Sequence, residues 1–483
     1  MSIIAKEKYI YLTVLIWRTV LRSRKYILSI LLTFTIIIKC ISFTQISTYA
    51  SYVPVKYSSE LYAELNASDK NITASASTSP PTLHARYAAL IDGDNNRLLY
   101  GKEADVKAPN ASTTKIMTLI TALEICGDDY VATTSAYAAA MPDVQLNAVR
   151  GERFHIQDLY YSLMLKSHND TAVIIAENTA YYYLCTLSDK DRNELLYDTA
   201  FINSYNSDSS FIKDISKEQS RILVRIFTDL MNKKALELGC TNTHFVTPNG
   251  LDATDEYGVH STTAYELGVM MSYCIKNSHF LDITQTQSYT FHNLSNKEYS
   301  VTNANAFLSM YNNIISGKTG FTADAGYCYV CAYKDDEHTY IVTLLACGWP
   351  NNKTYKWTDS KVLLDYAKNS FTKQNIFNDR KTFNICVTDG KCKNINVSID
   401  ENYSAYIKDD DSVDIEYNIP ESIKAPVKSG DVIGSVDIII NGENVKQYPL
   451  ICSNDVNKRS CLDNICLLYT SDAADDLIGV DLG

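Results

Sequence analysis

The chain has 483 residues and carries 56 acidic against 44 basic side chains, a formal net charge of −12. That balance excludes nucleic acid as the main partner, because such partners call for a basic surface. The length predicts two or three domains, and a hydrophobic content of 46% is enough for a sizeable core.

Arg18, Arg22, Arg24 and Lys25 precede an almost wholly apolar run from Tyr26 to Ile38, and Thr48-Tyr49-Ala50 offers a small-x-small cleavage site. Residues 1–50 read as a cleaved signal peptide, with an uncleaved N-terminal anchor as the alternative, since the run is short for a membrane span. The charged stretch before it is long, which points to a translation start later than Met1. Residues 51–83 are polar, end in Ser79-Pro80-Pro81-Thr82, and read as a linker. The 13 cysteines are scattered, without the spacing of a disulfide scaffold. Cys328 and Cys331 fall in a strand-like stretch, so they are not read as a redox or metal motif.

Ala85 to Gly101 alternates as a hairpin about Asp92-Gly93-Asp94-Asn95-Asn96. Pro109 and Asn110 then mark a turn, Ser112 is of a helix-capping type, and Ile116, Leu119, Ile120 and Leu123 recur at helical spacing. Ala136 to Val149 reads as an irregular surface lobe. Helices are predicted over 156–166, 171–179, 222–238, 262–276 (capped by Ser261 or Thr262) and 358–370. A polar lobe about 181–218 interrupts them. Strands are predicted over Ile314–Thr322, Tyr327–Tyr333 and Tyr340–Cys347. Hairpins from both ends with helices between them describe an α+β domain over 84–371, one antiparallel sheet with helices on both sides. From 374 to 455, short alternating strands with turns at Asp389-Gly390, Ser429-Gly430 and Asn441-Gly442 describe a small all-β C-terminal domain. Residues 466–483 read as an artefactual tail, the natural chain being interrupted near Cys466.

Three short motifs carry chemistry. Ser112 and Lys115 are three apart at the foot of an apolar helix, so their side chains are neighbours. Burial lowers a lysine pKa until its amine can take a proton from a hydroxyl, and a helix N-terminus suits an anionic intermediate. Ser167-x-Asn169 stands where two helices meet. It offers a second hydroxyl for proton relay and an amide for a substrate amide. Lys318-Thr319-Gly320 opens a strand, with a cation for an anionic substrate end, a hydroxyl donor, and room for a substrate backbone along the strand edge. The plainer readings are a capping serine, a helix-ending Ser and Asn, and a turn with a solvated lysine.

Taken in order, Ser-x-x-Lys, Ser-x-Asn and Lys-Thr-Gly resemble the penicillin-recognising serine enzymes, the penicillin-binding proteins and serine β-lactamases. Within them the chain most resembles the low-molecular-mass D-alanyl-D-alanine carboxypeptidases. Ala88-Ala89-Leu90-Ile91-Asp92, Thr243-His244-Phe245, Asn249-Gly250-Leu251-Asp252 and Phe321-Thr322 with Ala325-Gly326-Tyr327 extend the match. The resemblance implies Ser112 as acyl-ester nucleophile, Lys115 as general base, Ser167 as proton relay and Asn169 as a further catalytic residue. Lys318, Thr319 and Gly320 would bind substrate, and the backbone N–H groups of Ser112 and Phe321 would form the oxyanion hole. It also implies a peptidoglycan stem peptide ending in D-Ala-D-Ala as substrate, β-lactams as inhibitors, and no metal or other cofactor. The expected location is the outer face of a bacterial membrane, the cell wall or the medium, with a terminal anchor holding the membrane surface. The family's usual C-terminal amphipathic anchor is not found, in keeping with an interrupted chain. The middle residue of the second motif, usually Gly in these carboxypeptidases, is His168, read as a neighbour of the cleft rather than a base. The alternatives are a DD-endopeptidase or transpeptidase of the same chemistry, a β-lactamase, or a non-catalytic wall-binding or β-lactam-sensing module. Glu177 lies on a predicted helix, out of place for a deacylation base.

Overall fold

A computed structural model describes residues 55–57, 80–195 and 209–460. The signal or anchor segment 1–50 and the tail 466–483 lie outside the described residues. The chain divides into two compact units. One holds residues 80–376 with 403–411, and the other holds 377–402 and 412–460 with the strand Val55–Tyr57.

The first unit is built on five strands, β1 (Tyr87–Asp92), β2 (Leu98–Lys102), β3 (Ile314–Thr322), β4 (Gly326–Lys334) and β5 (Thr339–Leu345). Their order is β2-β1-β5-β4-β3, antiparallel throughout, so the chain's two ends interleave and β3 forms an edge. Successive side chains on a strand point to opposite faces. Ala89, Ile91, Val330, Ala332 and Ile341 therefore enter one core, and Ala88, Leu90, Cys331, Tyr333 and Val342 enter another. Cys328 and Cys331 are divided between these two cores, as a strand requires. The first core packs helices α1 (Lys115–Ile125), α2 (Asn169–Thr186), α3 (Lys217–Glu237) and α4 (Ala264–Cys274), and the second packs α5 (Tyr355–Ser370).

Several local expectations are corrected. Helix α2 runs to Thr186, into the start of the lobe predicted at 181, because Ala180, Tyr181 and Leu184 continue its buried face. At the far end α3 begins at Lys217 through a capping box of Ser216 and Gln219. Thr263, not Ser261 or Thr262, caps α4 by accepting from the Glu266 N–H at 3.0 Å. The lobe 136–149 contains the short helix Ala136–Ala139. The hairpin Ser288–His292 with Glu298–Thr302, the helix Ser278–Gln285 and the pair Val131–Thr133 with Arg153–His155 are additions that no predicted element covered.

The second unit is a seven-stranded sheet. Val413–Asn418 pairs with Val432–Ile440, which pairs with Glu443–Cys452, all antiparallel, and Ser422–Lys424 lies parallel to Thr372–Thr388. Asn441 and Gly442 form the predicted two-residue turn, both at positive φ (54° and 81°), which suits the twist of a tight hairpin. Within the expected linker, Val55–Tyr57 is a strand of this sheet, paired antiparallel with Tyr417, Glu416 and Ile415.

Candidate active site

Ser112 does not cap a helix. Ala111–Thr114 is a 3-10 turn, and α1 begins only at Lys115. The turn is held by its neighbours: Asn110 Nδ2 donates to Thr114 Oγ1 (2.9 Å), Thr113 Oγ1 to Asn110 O (2.6 Å) and Thr114 Oγ1 to Ala111 O (2.8 Å). With the backbone satisfied in this way, the Ser112 hydroxyl turns toward Lys115 Nζ, 2.8 Å away. Two glycines let the chain close on this turn. A Cβ at Gly250, which has φ +80°, would lie 2.0 Å from Ala111 O. One at Gly320 would lie 2.9 Å from Ser112 N and 3.1 Å from Ala111 Cβ. The space Gly320 leaves is thus taken by the serine turn, which corrects the expectation that it serves a substrate backbone.

Lys115 is fully buried and forms no ion pair among the described residues. Burial holds its pKa well below the ordinary lysine value, the charge of Lys318 lowers it further, and Asp170 opposes. Its other two neighbours are carbonyl oxygens, Asn169 Oδ1 (3.0 Å) and Asn249 O (2.6 Å). A neutral amine has two N–H donors and one lone pair. Donation to the two carbonyls leaves the lone pair for the Ser112 hydroxyl, the arrangement needed to accept its proton.

Ser167 ends a π-helical turn, Ser162–Lys166, in the left-handed conformation (φ 67°, ψ 31°). That backbone is uncommon for a residue with a side chain and typical of functional sites. Its Oγ accepts from Lys318 Nζ at 2.9 Å, and Lys318 also donates to Thr319 O at 2.8 Å. Lys318 is buried, and burial alone lowers its pKa to about 7. Asn169 meets other partners than the expected substrate amide: its Nδ2 hydrogens go to Pro142 O (3.2 Å) and Asp143 O (3.0 Å). It therefore orients Lys115 and ties down the 142–148 lobe, which Asp170 also holds by accepting from the Leu146 and Ala148 N–H groups. His168 points away from the nucleophile to Ser162 Oγ (2.9 Å), and burial with three nearby lysines lowers its pKa to about 4.

A cleft of about 440 Å³ opens over these groups, lined by Ser112, Ser167, Asn169, Thr319, Gly320 and Phe321 among others. Every site residue predicted from sequence except Lys115 and Lys318 lines it, and those two stand behind it, bonded to its serines. The roles of three contributors escaped the sequence reading. Asn249 acts through its backbone carbonyl. Asp170 follows the second motif directly and could have been read from it. Lys356, on the first turn of α5, lines the cleft without an acidic partner among the described residues, its Nζ 4.7 Å from the Tyr327 ring and 4.6 Å from that of Trp357.

Fold and site together set a close serine–lysine pair at a cleft on an antiparallel sheet flanked by helices. The family model for D-alanyl-D-alanine carboxypeptidase matches residues 74–182 and 194–347, and that for the penicillin-binding protein 5 C-terminal domain matches 371–458. The chain belongs to the D-alanyl-D-alanine carboxypeptidase family. It is 26% identical over 390 residues to D-alanyl-D-alanine carboxypeptidase DacF of Bacillus subtilis, covering 79% of this chain and 88% of that one. It is 25% identical over 397 residues to DacC of Escherichia coli, covering 78% and 86%. Among solved structures, penicillin-binding protein 5 of Haemophilus influenzae shares the fold, with a TM-score of 0.59 at 21% identity over 79% of this chain and 100% of that one.

Proposed function

We propose that the chain removes the terminal D-alanine of peptidoglycan stem peptides through an acyl-enzyme on Ser112, and that β-lactams are trapped at the same atom. The observation that carries this reading is the fully buried Lys115, its Nζ 2.8 Å from Ser112 Oγ and set between the carbonyl oxygens of Asn169 and Asn249, with burial holding its pKa well below the ordinary lysine value. The peptide lies along the free edge of β3. Lys115 takes the Ser112 proton as Oγ attacks the penultimate D-Ala carbonyl. The N–H groups of Ser112 and Phe321 receive the oxyanion, a kind of contact worth about 3–4 kcal/mol per donor. The proton returns to the leaving amine through Ser167, free D-alanine departs, and water hydrolyses the ester.

The terminal carboxylate falls between the Thr319 hydroxyl and Lys356, which line the cleft, whereas Lys318 stands behind it on Ser167 and Thr319 O; Lys356 also donates to the Lys353 carbonyl and keeps further N–H groups for the carboxylate. Lys318 acts mainly through its field on Lys115 and Ser167. Glu177 does not support a β-lactamase: it is buried, accepts from Ser135 Oγ at 2.9 Å and does not line the cleft. Such an activity belongs on the outer side of a bacterial membrane, where peptidoglycan is found.

The test is intact-mass measurement after penicillin, together with D-alanine release from a D-Ala-D-Ala peptide. We expect one adduct in the native chain, none in Ser112→Ala, and release only by the former. Equal release by both would refute the reading.

A further inference from the structure

His260 lies outside the cleft, yet it joins the two segments that meet at Lys115. Its ring is buried, with 1% exposure, in the bridge region that leads to α4. Nε2 is 2.8 Å from Thr114 Oγ1, the residue just before Lys115. Nδ1 faces the backbone N–H of Val246 at 3.0 Å and of Thr247 at 3.3 Å. These contacts select one tautomer. Backbone N–H groups only donate, so Nδ1 is the acceptor and Nε2 carries the hydrogen. That assignment agrees with the other end, where the Thr114 hydroxyl already gives its hydrogen to Ala111 O and is free to accept.

The segment held by Nδ1 runs directly into the residues that surround the nucleophile. Pro248 O accepts from Thr118 Oγ1 on α1 at 2.6 Å. Asn249 O accepts from Lys115 at 2.6 Å and lies 3.3 Å from Ser112 Oγ. Gly250 closes on Ala111 O.

We infer that His260 is a positioning residue for acylation, a neutral two-ended link that sets where the Asn249 carbonyl stands relative to Lys115 and Ser112. This rests on the acyl-enzyme reading above. A clamp of this kind acts on the chemical step, because it sets the direction of the Lys115 lone pair without touching substrate. A displacement near 1 Å at such a place can change a rate by about a hundredfold.

The experiment follows acylation of the full chain by a fluorescent penicillin, resolved into non-covalent binding and the first-order acylation step, in His260→Asn and His260→Gln. Asn can keep an acceptor where Nδ1 stands, and Gln can keep a donor where Nε2 stands, so each breaks one end of the link. We expect the acylation step to fall about tenfold to a hundredfold in each single-ended variant, with binding changed by no more than about threefold. The double loss in His260→Ala is expected to be at least as large in its folded fraction, counted from the labelling endpoint. A lowered melting temperature with an acylation step within about threefold of the native rate would overturn the inference and leave His260 as scaffold alone. A loss confined to non-covalent binding would overturn it as well. If the native chain forms no adduct, the acyl-enzyme reading falls and this inference with it. If the native chain is acylated and the variants match it, only the inference falls.

Discussion

Gly320→Ala tests the contact between the serine turn and the edge strand. The added Cβ would stand 2.9 Å from Ser112 N, 3.1 Å from Ala111 Cβ and 3.1 Å from Asn110 O. Comfortable contacts lie near 3.5–4.0 Å, so the turn must retreat from β3 by about 0.5 Å. None of the three atoms is the end of a flexible side chain, and retreat is opposed on the other side by Gly250, against Ala111 O. Overpacking of this kind destabilises by about 1–3 kcal/mol. The same movement separates Ser112 N from Phe321 and lengthens the 2.8 Å approach of Ser112 to Lys115. We expect acylation by penicillin to slow by about tenfold to a hundredfold, together with a lower denaturation midpoint. Stopped-flow labelling reads the first and urea unfolding the second. An alanine variant that acylates within about twofold of the native rate at unchanged stability would show that turn and strand are not in this contact.

Asn169→Asp sets a carboxylate at the position 3.0 Å from Lys115 Nζ, favours the ammonium form, and should move the acid limb of the acylation profile alkaline by about 1–3 pH units. A limb that stays in place would remove Lys115 from the role of base. Glu177, raised by burial from 4.5 to about 8, keeps in the fold a proton that the unfolded chain releases, so its contribution to stability falls as pH rises through that window. The slope approaches about 1.4 kcal/mol per pH unit. Glu177→Gln should therefore gain on the native chain between pH 5 and pH 8 in urea unfolding, and a constant difference would refute a protonated Glu177. Lys356→Met should lower kcat/KM for a peptide with a free C-terminal carboxylate by about tenfold to a hundredfold, the loss of one charged hydrogen bond, and spare the C-terminal amide. Equal losses on both would exclude Lys356 from carboxylate binding.

The three motifs were legible because each depends on side-chain type and short spacing. Ser112 with Lys115, Ser167 with Asn169, and Lys318 with Thr319 all converge at one cleft or directly behind it. The part played by Asn249 was hidden, although its segment belongs to the family match, because a backbone carbonyl has no signature of its own: any residue could present that oxygen once Gly250 let the chain pass Ala111. Lys356 was hidden for a different reason. In Lys353-Thr354-Tyr355-Lys356-Trp357 it reads as an ordinary lysine near a helix start, and only the packing of α5 brings it beside Tyr327. The sheet was legible from alternation and burial in Tyr87–Asp92 and Thr339–Leu345, whereas its order follows from pairing across the whole domain. The strands Ser288–His292 and Glu298–Thr302 were passed over because only Phe291, Tyr299 and Val301 among them are buried.

The interleaving of β1 with β5, in which Ala89 faces Thr343, has a consequence for biosynthesis. Closing so long a stretch of chain is entropically unfavourable and slow compared with local helix formation. Ser112 and Lys115 leave the ribosome early, but the strand that bears Lys318 and Gly320 leaves hundreds of residues later, and β5 later still. A nascent chain therefore holds a serine and a lysine without the wall that brings them together. On the proposed acylation of Ser112, reactivity toward a penicillin would appear only once both ends have met, so covalent labelling of newly made chains would count completed molecules and serve as a clock for their maturation.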